Sequence, residues 1–154
     1  MNFTILPAAW APYLQSILRI ATGLLFLEHG TGKLLGFPTL TGLDQMPHGL
    51  LLFTGGMELV GGTLIVIGLL TRPVAFVLSG FMAFAYFMAH FPRSFFPALN
   101  FGEPAVLLCF VFLYLAAAGP AAPGRSIRPE TPHPGPRRAS PSARRFFLLR
   151  ADRG

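Results

Sequence analysis

The sequence predicts an all-α protein: a four-helix transmembrane bundle of up-down topology with a disordered C-terminal tail. Three observations carry this. Of the 154 residues, 53% are hydrophobic and 12% charged, whereas a globular domain carries about 25% charged residues. Four apolar runs, near 13–35, 50–70, 73–91 and 102–118, match or approach the roughly 20 helical residues that cross about 30 Å of hydrocarbon. None of them alternates apolar with polar residues, as the strands of a transmembrane barrel would.

The first segment, MNFTILPAAWAP, suits the headgroup level, with Trp10 and Tyr13 as interfacial aromatics. Helix one follows. It is not expected to be a cleaved leader, because no basic residue precedes it and its end carries His29 and Lys33 where a small-residue cleavage site would stand. FPTLTGLDQMPHG is a loop punctuated by proline and glycine, and helix two begins near Leu50. Thr71, Arg72 and Pro73 make a tight connection, with Pro73 tolerated in the first turn of helix three. HFPRSFFPALNFGEP joins helices three and four at the membrane surface. No internal repeat is evident. Cys109 is the single cysteine, which excludes an intramolecular disulfide and a cysteine metal cage and leaves it the role of a small hydrophobe.

Charge is unevenly placed. Up to Pro120, Arg19, Lys33, Arg72 and Arg93 balance Glu28, Asp44, Glu58 and Glu103; the net charge of +6 comes from eight later arginines facing Glu130 and Asp152. The basic stretch has no aromatic-interleaved face and no nucleic-acid motif, so no nucleic-acid partner is expected.

Up-down topology places the end of helix one beside the start of helix two, and the end of three beside the start of four. His29, Lys33, Glu58, His90 and Glu103 therefore share one half of the membrane, with Arg19 entering from the other. At 100° per residue Arg19, Gly23 and Gly30 fall within about 40° of one another, a face with two small residues for close packing, while Glu28 points about 180° away. Glu58, flanked by glycines that include Gly62, is the expected partner of Arg19, and Lys33 is expected to snorkel to the interface. Such a pair serves either as a lock between helices or as a proton-handling site with the histidines. Glu103 suits the positive end of the helix-four dipole. No HxxxH or ExxH spacing supports a metal site, and no flavin, haem or iron-sulfur motif is present. The catalytic residues, if any, are not legible.

Three segments, RIATGLLFLEHGTGKLLGFP, GGMELVGGTLIVIGLLTRPVA and FMAFAYFMAHFPRSFFPALNFGEPAVLLCFVFLYLAAAGP, together resemble the DoxX family of small four-helix membrane proteins. The matching positions are Arg19, Gly23, His29, Gly30, Lys33, Glu58, Gly62, Gly68, Arg72, Met82, His90, Gly102 and Glu103. Glu28 departs from the expected apolar or amide residue. The resemblance implies an integral protein of the bacterial inner (plasma) membrane. For some relatives it also implies association with oxidoreductases that pass electrons to quinone, one of them thiosulfate-oxidising, through soluble redox subunits. Many relatives have no assigned activity. A small transporter or a membrane scaffold would use the same polar cluster.

Relatives tend to close helix four with a segment like GPGxWSLD, where this chain has GPAAPGRSIRP. Shifted by two bases, codons for that stretch can read Trp-Ser-Ile-Asp-Pro. Residues 121–154, rich in proline and arginine, are thus expected to be a frameshift product without fold. With this tail the positive-inside rule puts both termini in the cytoplasm; without it, Arg19 and Arg72 on one side balance Lys33 and Arg93 on the other.

Overall fold

A computed structural model describes residues 6–121, which are helical with no strand among them. The expectation for the tail beyond lies outside the described residues. Five α-helices follow one another: α1 (Ala11–Leu35), α2 (His48–Ile67), α3 (Thr71–Ala85), α4 (Pro97–Asn100) and α5 (Glu103–Ala118). A π turn, Tyr86–His90, continues α3, so that Thr71–His90 forms one rod of 20 residues. α2 and this rod are long and apolar enough to cross a membrane; α1 carries three charges, and α5 is shorter. The single-turn α4 lies in a stretch expected to be loop, where Pro97 starts a turn that Phe101 ends at a left-handed φ of 59°.

Local chemistry explains the helix ends. α1 carries Pro12 in its first turn, where the missing N–H costs nothing, and stops at Gly36 with φ 72°. α2 stops at Gly68 with φ 78°. The N–H of Gly68 donates to Ile65 O and that of Leu69 to Leu64 O, the paired bonds by which a left-handed glycine closes a helix.

The helices pack as two antiparallel hairpins, α1 with α2 and α3 with α5, joined by fewer contacts between α2 and α3 and between α1 and α5. In the first hairpin backbones touch. A Cβ on Gly30 would lie 2.5 Å from Leu59 N, one on Gly23 3.0 Å from Val66 N, and one on Gly62 2.9 Å from Leu27 N. Gly55 makes room for the Leu34 side chain in the same hairpin, and Gly61 for that of Leu78 of α3. Gly32 is filled by Leu40 and Pro38 of the following loop, and Gly36 caps α1. The GxxxG at 32–36 is therefore used within the chain.

The second hairpin is fastened by Ser79, whose hydroxyl donates to Cys109 O at 2.9 Å. Between hairpins, Phe26 of α1 meets Phe112 of α5 edge to face at 5.1 Å and Phe81 of α3 at 6.2 Å. Phe26, Ile65, Leu78, Phe112 and Leu115 are at most 2% exposed. Nine apolar residues make this core, while exposed large hydrophobics, present on every long helix, outnumber them more than threefold in total. A water-soluble monomer rarely exposes contiguous apolar patches above a few hundred Å².

The hairpins also repeat each other. Arg19 of α1 lies against Gly68 at the end of α2, and Arg72 of α3 lies against Gly119 at the end of α5. No repeat is evident in the residues, because only the arginine and the closing glycine are shared in role.

Gly30→Ala is expected to force α1 and α2 apart and destabilise the protein by about 1–3 kcal/mol, as overpacking does. Gly80→Ala, where an added Cβ meets nothing within 4 Å, is expected to be neutral or stabilising by up to about 1 kcal/mol. Thermal unfolding of both in detergent checks the contrast.

Candidate functional site

The close approach of α1 and α2 decides which ionisable groups meet. Gly30 rests on the backbone of Glu58 and Leu59, so one turn further along α1 the side chain of Lys33 reaches back to α2. Its Nζ donates to Glu58 Oε1 at 2.6 Å, the single salt bridge among the described residues, with side chains 12% and 8% exposed. Glu58 Oε2 is buried without a partner. Glu58 sits midway along α2, which makes this a polar pair deep inside an apolar hairpin.

The expected Arg19–Glu58 pair does not form. Arg19 stands about two helical turns further along α2, where its Nη1 donates to the carbonyls of Ile65 and, at 2.6 Å, Val66. These carbonyls are in the last turn of α2, where backbone donors run out; Ile65 O accepts the Gly68 N–H as well, and a guanidinium there also meets the negative end of the helix dipole. Lys33, whose predicted place was the interface, takes the glutamate because the Gly30 contact brings its stem over α2. Spacing on one helix could not reveal this, since the choice between two cations depends on the depth at which α2 docks.

His90 and Glu103 belong to a different locus, at the α3–α5 turn. His90 Nδ1 donates to Asn100 O at 3.0 Å, and its ring stacks on Tyr86. The Asn100 side chain is fully buried; Nδ2 donates to Ser94 O at 2.7 Å, and Oδ1 accepts the N–H of Gly102 at 2.7 Å. The Tyr86 hydroxyl donates to Phe95 O at 3.0 Å. Within this knot the His90 tautomer is set, with Nε2 left as the acceptor. Glu103 opens α5 and is exposed. Asn100 and Tyr86 were not singled out from sequence; an asparagine among aromatics signals only a loop until the chain folds over it.

His29 is exposed on the outside of α1, its Nδ1 donating to Leu25 O at 2.9 Å. The six expected residues thus fall into a helix-end cap (Arg19), a buried pair (Lys33, Glu58), a turn (His90, Glu103) and an outer face (His29). No group of three or more histidine, cysteine or acidic residues among the described residues is placed to hold a metal ion.

A family model, DoxX, matches residues 14–91, which contain Arg19, Lys33, Glu58 and His90. The chain belongs to the DoxX family. DoxX proteins are small membrane proteins, and the lipid bilayer is the environment that the apolar surface of this chain requires. An uncharacterized protein of Haemophilus influenzae is 42% identical over 118 residues, covering 73% of this chain and 88% of that protein. No solved structure matches.

Lys33→Met or Glu58→Leu alone leaves one buried charge without its partner and is expected to cost about 3–5 kcal/mol, whereas the double variant is expected to recover most of the loss. A double-mutant cycle on thermal unfolding measures the coupling. Asn100→Ala strips partners from buried polar groups of Gly102 and Ser94 and is expected to cost about 1–3 kcal/mol, read in the same assay.

Proposed function

We propose that this DoxX protein is the membrane-embedded subunit of a quinone-linked oxidoreductase of the bacterial inner membrane, its four long helices crossing the bilayer as an up-down bundle. The observation that carries this reading is the buried Lys33–Glu58 pair with the orphaned Oε2 of Glu58. A quinone head group accepts hydrogen bonds through its carbonyls, and the quinol donates them through its hydroxyls. Lys33 Nζ retains two N–H donors beyond the one given to Glu58, and Glu58 Oε2 is a free acceptor, so the pair suits both forms. Reduction to quinol takes up two electrons and two protons. The electrons come from soluble redox subunits, and this chain contributes hydrogen bonding and proton handling at an apolar depth, where an ionisable group left unpaired would cost about 2.5–3.5 kcal/mol.

A second reading, a scaffold with no chemistry, is favoured by Arg19 and Asn100. Their hydrogen bonds go to the chain's own backbone at a helix end and a turn, a use that holds helices and binds nothing.

Extraction of bound quinone from the purified protein separates the two. Quinone is expected in the native protein and in His90→Ala, whose locus is elsewhere, and at least about tenfold less in Glu58→Gln, in keeping with the loss of a charge-assisted bond. No quinone in the native protein, with both variants only less heat-stable, would leave the scaffold reading.

A further inference from the structure

Glu28 and His29 are adjacent ionisable groups on the outer face of α1, and neither pairs with another side chain among the described residues. Both are exposed, and among the described residues the Glu28 carboxylate has no hydrogen-bond or ion-pair partner, while His29 bonds only the carbonyl of its own helix. Their depth follows from the packing. Gly30 lies on Glu58 and Leu59, midway along α2, and at about 1.5 Å per residue Glu28 and His29 are within about 3 Å of that level. They cannot satisfy each other, because adjacent helical positions point about 100° apart.

On the proposed transmembrane placement, these two groups face hydrocarbon near its middle, too far from either surface for a glutamate or histidine to reach water. The remainder of that outer face is apolar and unpartnered, with Ile17 62%, Leu24 50% and Leu25 56% exposed. Glu28 and His29 flank a line along α1 that passes through Leu14, Ala21 and Leu25, about 50° to either side of it.

We infer that this face of α1 is the contact for a second copy of the chain, the two related by a two-fold axis along the membrane normal, with Glu28 of each protomer bonded to His29 of its partner. In a parallel pair of helices, opposite flanks meet, so the two-fold makes this contact twice. The chemistry is self-complementary. With Nδ1–H given to Leu25 O, the open nitrogen of His29 is Nε2, and a single proton shared between Nε2 and the carboxylate joins them whichever group formally carries it. Ala21 on the seam, small and exposed, lets the helices approach. The inference rests on the transmembrane placement and is independent of the quinone reading.

Cysteine cross-linking in native membranes tests it, in a Cys109→Ala background. Ala21→Cys and Leu25→Cys are expected to form disulfide-linked dimers on mild oxidation. Phe76→Cys and Phe84→Cys, equally exposed but on α3, are expected to stay monomeric. In detergent, Glu28→Gln is expected to loosen self-association about tenfold, and the exchange Glu28→His with His29→Glu to restore it. A Glu28→Cys variant shielded from a water-soluble maleimide, with no cross-link from either α1 position, would overturn the dimer while leaving the placement intact. Ready labelling of that variant in sealed vesicles would overturn both, and cross-linking of α1 only to proteins of other sizes would overturn self-association.

Discussion

Direct contact between the backbones of α1 and α2 is the constraint on which the remaining structure depends. In an apolar solvent, side chains on a helix gain nothing by leaving lipid for another helix, so association has to come from close packing and from polar groups that lipid cannot satisfy. Gly23, Gly30 and Gly62 supply the first. Once the axes are that close, registry along the hairpin is set to within a residue, and the side-chain contacts of α1 with α2 follow from it: Lys33 falls beside Glu58, and Arg19 falls beside the carbonyls of the last turn of α2. A hairpin held apart by one methyl group would misplace both.

The two basic residues of α1 consequently do opposite kinds of work. Arg19 has the planar fork that suits several fixed carbonyls at once, and it sits where a helix dipole already favours a cation. A lysine there would offer a point charge on a flexible stem. Lys33 faces one carboxylate in a narrow space and leaves that carboxylate's second oxygen free. Burial of this pair is weak support for stability, because desolvating both ions offsets much of their attraction. Arg19 likewise leaves its Nε buried without a partner, so the proposed chemistry is assigned to the pair because it sets a carboxylate beside an ammonium, whereas the hydrogen bonds of Arg19 go to helix-end carbonyls.

Much of the architecture was legible because it rests on periodicities that survive in one dimension. Apolar run lengths, the absence of alternation, and the glycines on the Arg19 face of α1 all report on backbone geometry. Pairing was not legible. Whether Glu58 meets Arg19 or Lys33 turns on a docking depth that no spacing within a helix encodes, and the knot around Asn100 depends on residues 86–102 folding back over one amide. The separation of His90 and Glu103 from the Lys33–Glu58 pair has the same origin: the two sets belong to different hairpins, which meet through apolar contacts such as Gly61 with Leu78 and Phe26 with Phe81 and Phe112.

That division locates the likeness and the difference between the halves of the molecule. Each hairpin places an arginine from its first helix against the glycine that closes its second, Arg19 at Gly68 and Arg72 at Gly119, although Arg19 bonds helix-end carbonyls and Arg72 is exposed. In the first hairpin the helices then meet through glycine and enclose an ion pair. In the second they meet through Ser79 and Cys109 O, with Ala75 and Leu78 beneath, and enclose no charge among the described residues. A repeated frame with an ion pair in one copy alone assigns stability to what the copies share and leaves the unshared pair as the part of the fold that stability does not explain.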